Sequence, residues 1–413
     1  MDDPTWTGPG SAAAAAARRP AGRWVTSWAA MPQLTEPANL PPPPFAGENL
    51  VMVDSTLRQT VRVSVGGERL RLRLSNTFGR APLVIAATAV ALPAGGRAGA
   101  SGTEPGTTRP VTFGGRRCAT VPAGAQLVSD PVDLPIPARS NLTVTLHLAQ
   151  GHPATEVTSH PGSRTTSHLL GGHHVEETDL PGATPVEHWY FLGGLEVSGS
   201  PATAVVMLGD SLTDGRGSTT NGNDRWPDQL LDRLQAYHGT ADVAVVNQGA
   251  GGNRILNDGL GPNALARLDR DVLAQTGVRW LVVFEGINDI GTAAATEAAQ
   301  KAVTDDLICA YDQIVTRAHA QGIRVYGGTL APFGGHGDYD DPTGLREASR
   351  QAVNGWIRTS GRFDEVLDFD VAVRDPGHPG RLRAAVDTGD HLHLNPTGYR
   401  LLAEAVPVEL FRG

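Results

Sequence analysis

Ala204-Val205-Val206-Met207-Leu208-Gly209-Asp210-Ser211-Leu212-Thr213-Asp214-Gly215 opens on five apolar residues in a row and closes on polar residues and glycine. A short unbroken apolar run of this kind reads as a strand buried on both faces, as in a parallel sheet covered by helices. The residues after it stand at the strand's carboxyl end, where open α/β sheets carry their sites. Ser211 is therefore the best candidate nucleophile in the chain. A serine hydroxyl is unreactive by itself, so the assignment needs three partners downstream: a base, an acid to orient that base, and donors for a developing anion.

Outward from that stretch the same grammar continues. After Gly199-Ser200-Pro201, apolar runs at 204–208, 243–247, 280–284, 323–329 and 365–369 read as buried parallel strands, and 227–237, 263–275, 293–321, 344–359 and 396–410 read as helices. The expectation is a doubly wound α/β/α domain over 199–413. Ser211, Gly252, Asn288 and His393 all fall on loops beyond strand ends or in the corresponding C-terminal segment.

Upstream, from about Arg23 to Val197, the apolar period is two, which marks half-buried strands. Val61, Val63 and Val65 alternate with Arg62 and Ser64, Gly66-Gly67 turns the chain, and Leu70, Leu72 and Leu74 alternate with Arg71 and Arg73. That pattern predicts a β-hairpin. Leu142, Val144, Leu146 and Leu148 repeat it, and runs at 83–92, 126–134 and 188–197 complete a set, so residues 23–198 are expected to form an all-β sandwich of jelly-roll type. Residues 1–22, rich in Ala, Gly and Pro, read as a disordered tail; six alanines precede Arg18-Arg19, the reverse of a secretory leader's order, and the compartment is left open.

Composition narrows the function. The chain has 413 residues with 40% hydrophobic content and a formal net charge of −9, and no long basic run interrupts it. Two domains fit this length, and nucleic acid or an anionic membrane does not fit this charge. No apolar stretch approaches the roughly 20 residues needed to span a bilayer. Lys301 is the only lysine and has no phosphate motif around it, so a P-loop is excluded. Cys118 and Cys309 lie in different halves without a C-x-x-C partner, so neither a zinc knuckle nor a disulfide framework is expected.

The partners Ser211 requires stand in Asp387-Thr388-Gly389-Asp390-His391-Leu392-His393-Leu394-Asn395-Pro396. Two residues separate Asp390 from His393, a spacing that lets the carboxylate fold back on the ring, fix its tautomer and leave the other nitrogen to take the serine proton. His391, two residues from His393, points to the opposite side in an extended stretch and is the weaker base. For the anion, the glycines of Asn247-Gln248-Gly249-Ala250-Gly251-Gly252-Asn253 leave a backbone N–H exposed, with Gly249 and Gly251 as alternatives to Gly252. In Glu285-Gly286-Ile287-Asn288-Asp289 the Asn288 amide can reach the same point, and the Ser211 N–H makes a third donor.

Together these blocks resemble the SGNH, or GDSL, hydrolase family, named for a serine, a glycine, an asparagine and a histidine in four blocks. Gly209-Asp210-Ser211-Leu212, Gly252, Gly286-x-Asn288-Asp289 and Asp390-x-x-His393 follow in that order over roughly 203–411. The resemblance implies a flavodoxin-like sheet, Ser211 as nucleophile, His393 and Asp390 completing a triad, and Gly252 and Asn288 as oxyanion donors. Two small departures, Ile287 in the third block and Leu394 after the histidine, touch no reacting group. Thr213 stands where a G-x-S-x-G elbow has glycine, which disfavours an ordinary α/β-hydrolase. Trp24-Val25-Thr26-Ser27-Trp28-Ala29-Ala30 resembles the opening of two-domain bacterial members similar to arylesterases and acetylxylan-type esterases.

Other features carry two readings each. His168, His173, His174, Glu176 and Glu177 cluster among glycines without the regular spacing of a zinc site and read as a solvated loop; no metal and no cofactor is expected. Asp214 and Arg216 either line an acyl site or serve as a loop cap and a surface charge. The segment 331–341, with Phe333 and His336, reads equally as a substrate-contacting loop or a glycine-rich connection. The expected activity is serine-dependent hydrolysis of short-chain carboxylic esters, acetyl or aryl, in a small-molecule or glycan substrate. Acyl transfer to a sugar or alcohol, and a carbohydrate-binding protein with an accessory esterase domain, are the alternatives.

Overall fold

The computed structural model describes residues 23–199 and 202–412. The tail expected at 1–22 lies outside the described residues, as do Ser200 and Pro201 of the connection. In the second half, strands Thr203–Gly209, Val243–Gly249, Val278–Phe284, Arg324–Gly328 and Glu365–Leu367 form one parallel sheet. In chain order they stand second, first, third, fourth, fifth across the sheet, the flavodoxin-type order.

The first strand shows why its sequence is apolar throughout. Val205 and Met207 pack on one face with Leu230 and Leu234 of helix Trp226–Ala236 and Tyr399 and Leu402 of helix Pro396–Glu404. Val206 and Leu208 pack on the other face with Leu307 and Ile314 of helix Glu297–His319 and Val353 and Ile357 of helix Leu345–Thr359. Alternate side chains thus enter different layers, and every position from Ala204 to Gly209 is buried. Register then sets the site: Gly209 lies beside Gly249 on one side and Phe284 on the other, so the segments starting at Asp210, Ala250 and Glu285 leave the sheet together.

The expected helix at 263–275 is broken in two: Ala264–Leu268 is α-helical and Asp269–Leu273 a π-type turn. Three short helices escaped the sequence reading, Ser211–Asp214, Ile287–Thr292 and Phe369–Val373. Each follows a strand end directly and is too short to show an apolar period.

In the first half, strands pair antiparallel in two large sheets. One holds Trp24–Ala29, Leu192–Ser198, Gly67–Ser75 and Val132–Ile136; the other is built on Leu50–Arg62 against Asn141–Pro153. The apolar alternations of both enter one core, with Leu57, Val61, Leu142 and Val144 meeting Leu70, Leu72 and Leu74. The hairpin expected at Gly66-Gly67 is corrected here: strands Leu50–Arg62 and Gly67–Ser75 belong to different sheets. Val63 N–H donates to Ser140 O and Ser64 N–H to Ser27 O, each at 2.9 Å, as the chain crosses between layers. Alternation marks the face a strand buries and leaves its neighbour unspecified, so two buried strands joined by glycines fit a crossover as well as a hairpin.

The halves touch directly. Thr26 N–H donates to Thr276 O at 2.9 Å, and Arg62 pairs with Asp232 at 2.8 Å.

Candidate active site

Gly209 ends its strand with no room for a side chain, since a Cβ there would lie 2.2 Å from Thr213 Oγ1. Asp210 caps the short helix that follows, its Oδ1 accepting from Leu212 N–H at 2.9 Å, and Ser211 is that helix's first residue. The turn delivers the Ser211 hydroxyl to a ring nitrogen of the C-terminal segment: Ser211 Oγ lies 2.9 Å from His393 Nε2. His393 Nδ1 lies 2.6 Å from Asp390 Oδ2, while Asp390 Oδ1 accepts the backbone N–H of His393 at 2.8 Å and of Leu392 at 3.0 Å. The segment therefore wraps around its own carboxylate, and the Nδ1–H tautomer leaves an acceptor lone pair on Nε2 facing the serine.

Electrostatics agree with that tautomer. Burial lowers the His393 pKa below the ordinary histidine value; Asp390 opposes this, and Arg216 and His336 add to it. Burial pushes the Asp390 carboxyl up, but the N–H groups of His393 and Leu392 and the His393 ring outweigh it and hold the carboxyl well below its usual range. At neutral pH the pair is a carboxylate beside a neutral imidazole, able to accept a proton from Ser211. His391 turns away and pairs with Asp387 at 2.6 Å.

Donors converge on the same place. Ser211, Gly252, Asn288 and His393 line one cleft of about 410 Å³. Among the described residues, the backbone N–H groups of Ser211 and Gly252 are taken by no turn, loop or side-chain hydrogen bond. Gly252 has φ +69°, a left-handed value that favours glycine, and a Cβ there would meet Leu260 Cδ1 at 2.4 Å. Asn288 donates one Nδ2 hydrogen to Asn253 O at 2.8 Å and accepts from the Tyr339 hydroxyl at Oδ1 across 2.7 Å. Its second Nδ2 hydrogen is left for the cleft.

Beneath these groups lies a buried arginine that the sequence reading missed. Arg267, with a side chain 0% exposed, donates to Asn253 Oδ1 at 2.9 Å, Gln248 O at 2.8 Å and Gly209 O at 3.2 Å, tying two strand ends to the Gly252 loop. Its signal was an arginine on the apolar stripe Ala264, Arg267, Leu268. Nearby, burial pushes Asp210 up to about 7 and Glu285 up to about 8, with Arg267 opposing both.

The first half contributes a wall of the same cleft, through Gln33, Glu36, Asn39, His160 and Arg164. No sequence pattern singled these residues out. Of the three expected substrate contacts, His336 lines the cleft. Asp214 borders it, but its Oδ1 is held by His160 at 2.8 Å and its Oδ2 by Gly251 N–H at 3.1 Å. Phe333 is corrected: it is 1% exposed and packs in the core against the Tyr339 ring, because the apolar side chain anchors the loop that presents Tyr339. Among the described residues no group of three or more His, Cys, Asp or Glu is arranged to hold a metal ion, and His174 of the histidine-rich stretch pairs with Glu177 at 2.8 Å.

Among solved structures, the acetyl xylan esterase AlAXEase is similar at 23% identity and TM-score 0.38, covering 49% of this chain and 96% of its own. Axe2, an acetylxylan esterase from Geobacillus stearothermophilus, is similar at 23% identity and TM-score 0.36, covering 50% of this chain and 93% of its own. No curated protein matches the chain. Residues 207–401 match the family described as "GDSL-like Lipase/Acylhydrolase family". That stretch belongs to the GDSL-like lipase/acylhydrolase family, and the chain carrying it is a carboxylic ester hydrolase.

Proposed function

We propose that the protein is a serine esterase that hydrolyses short-chain carboxylic esters, acetyl or aryl, through an acyl-enzyme on Ser211. The observation that carries this reading is the 2.9 Å contact between Ser211 Oγ and His393 Nε2, with Asp390 on the far side of the ring. His393 takes the serine proton as Oγ attacks the ester carbonyl; the Ser211 and Gly252 N–H groups and the Asn288 amide receive the oxyanion. On collapse the alcohol leaves with the proton from His393. Water, activated by the same nitrogen, then attacks the acyl-enzyme and frees Ser211.

The short acyl group is inferred from the lining. Leu260, Leu392 and Pro161 are the aliphatic side chains of the lining, and most of the other lining residues are polar or glycine. A fatty chain would gain little from such a cleft, at roughly 0.8 kcal/mol per buried methylene. The first half is read as a β-sandwich domain, residues 23–198, that completes the cleft of a catalytic domain at 199–413.

A panel of p-nitrophenyl esters tests the reading. The kcat/KM for acetate or butyrate is expected to exceed that for decanoate by at least about tenfold, the effect of about 1.4 kcal/mol in transition-state binding, and to vanish in Ser211→Ala. A maximum at decanoate would refute the short-chain assignment, and hydrolysis by the alanine variant would refute the nucleophile.

A further inference from the structure

The esterase reading places the chemistry in the second half, yet one buried side chain of the first half is seated against the nucleophile's own helix. His160 Nε2 lies 2.8 Å from Asp214 Oδ1, with side chains 4% and 3% exposed. Asp214 is the last residue of the short helix that begins at Ser211. Its other oxygen, Oδ2, accepts the Gly251 N–H at 3.1 Å, one residue before Gly252. A single carboxylate thus joins the Ser211 turn, the Gly252 loop and the first half.

The fit around this carboxylate is close. His160 Nδ1 faces the Met31 carbonyl at 3.0 Å. The Met31 carbonyl and the Asp214 carboxylate face the two ring nitrogens from different sides, so the ring cannot turn over without losing these contacts. The ring also stacks on Trp189 at 5.7 Å, and Trp189 meets Trp28 edge-on at 5.0 Å, which holds the imidazole in one plane. Two residues on, a Cβ at Gly162 would lie 1.8 Å from Asp214 Oδ2, so the chain after His160 presses on the same carboxylate. Buried, saturated polar contacts of this kind fix geometry tightly, and removing one partner leaves the other unsatisfied.

We propose that His160 is a positioning residue for ester hydrolysis: through Asp214 it fixes the Gly251-Gly252 backbone against the Ser211 turn, so the first half completes the oxyanion site. The inference rests on the esterase reading above. His160 touches no reacting atom; its effect is exerted on where two donors stand when the oxyanion forms, which is a transition-state effect.

The test uses the full chain, with kcat for p-nitrophenyl acetate expressed per Ser211 titrated by a phosphonate, beside hydrogen–deuterium exchange of the peptide spanning Gly249 to Asn253. His160→Leu, which keeps bulk beneath Trp189, is expected to lower kcat about tenfold with KM within twofold, and to speed exchange of that peptide. His160→Gln, which keeps a donor toward Asp214, is expected to recover most of both. Asp214→Ala removes the tie from the other end without touching the Trp189 stack, and is expected to repeat the leucine result if His160→Leu does not fold. Wild-type kcat and exchange in the leucine and alanine variants would overturn the proposal and leave the esterase reading intact. A rise in KM alone would overturn it in favour of a substrate contact. Absence of Ser211-dependent hydrolysis in the unmutated protein would overturn both.

Discussion

The Tyr339 hydroxyl donates to Asn288 Oδ1 across 2.7 Å, and Asn288 in turn donates to Asn253 O across 2.8 Å. With its oxygen and one hydrogen held, the amide cannot flip, and its remaining hydrogen has one direction. Burial pushes Tyr339 up to about 12, which keeps the phenol a donor across the working pH range. Tyr339→Phe should therefore lower kcat about tenfold, the worth of one hydrogen bond of roughly 1–1.5 kcal/mol, with KM nearly unchanged. Steady-state kinetics on p-nitrophenyl acetate check this. An unchanged kcat would show that Asn288 holds its orientation without the phenol.

Removing the amide itself should cost more. Asn288→Ala is expected to lower kcat by about 10²- to 10³-fold with a modest change in KM, because an oxyanion donor acts mainly in the transition state. A rise in KM with kcat preserved would make Asn288 a substrate-binding residue.

The pH profile reports His393. The ring must be neutral to accept the serine proton, and burial lowers its pKa below the ordinary histidine value of 6.5. The rate should thus rise with pH along the acid limb and reach its plateau early, with the midpoint of kcat/KM below 6.5. A midpoint at pH 7 or above, measured in constant-ionic-strength buffers, would contradict this burial-lowered base.

The parts of this molecule that sequence could reveal are those written in consecutive residues. Runs such as Ala204 to Leu208 are apolar because both strand faces are covered, and that stands in the sequence whatever the partners. Asp390 and His393 are three apart, so their pairing is a local matter. What stayed hidden depends on distance along the chain. Tyr339 meets Asn288 from 51 residues away and His160 meets Asp214 from 54, and no local pattern encodes either encounter. Phe333 stands in a segment that reads equally as a substrate-contacting loop or a glycine-rich connection, and its burial follows from packing that no local pattern encodes. At Gly66-Gly67 the periodicity shows burial on both sides of the turn and leaves the pairing unspecified.

Glu285 supplies a stability test. Burial pushes its carboxyl up to about 8, above the 4.5 of a free glutamate, so the folded state holds a proton that the unfolded state releases. Stability from this group is full below pH 4.5 and is lost as pH rises toward about 8. Glu285→Gln keeps the neutral shape without the titration. The Tm of the glutamine variant minus that of the wild type should increase between pH 5 and pH 8 in thermal scans. A constant difference would mean that Glu285 is charged throughout, in partnership with Arg267.

The central claim is that Ser211 carries the acyl group, and covalent capture addresses it most directly. The protein, treated with a p-nitrophenyl alkylphosphonate and digested, is analysed by mass spectrometry. One phosphonyl group should be found per chain, on Ser211, with activity lost in proportion and with Ser211→Ala unlabelled. Label on another residue, or full activity after Ser211 is blocked, would contradict the account.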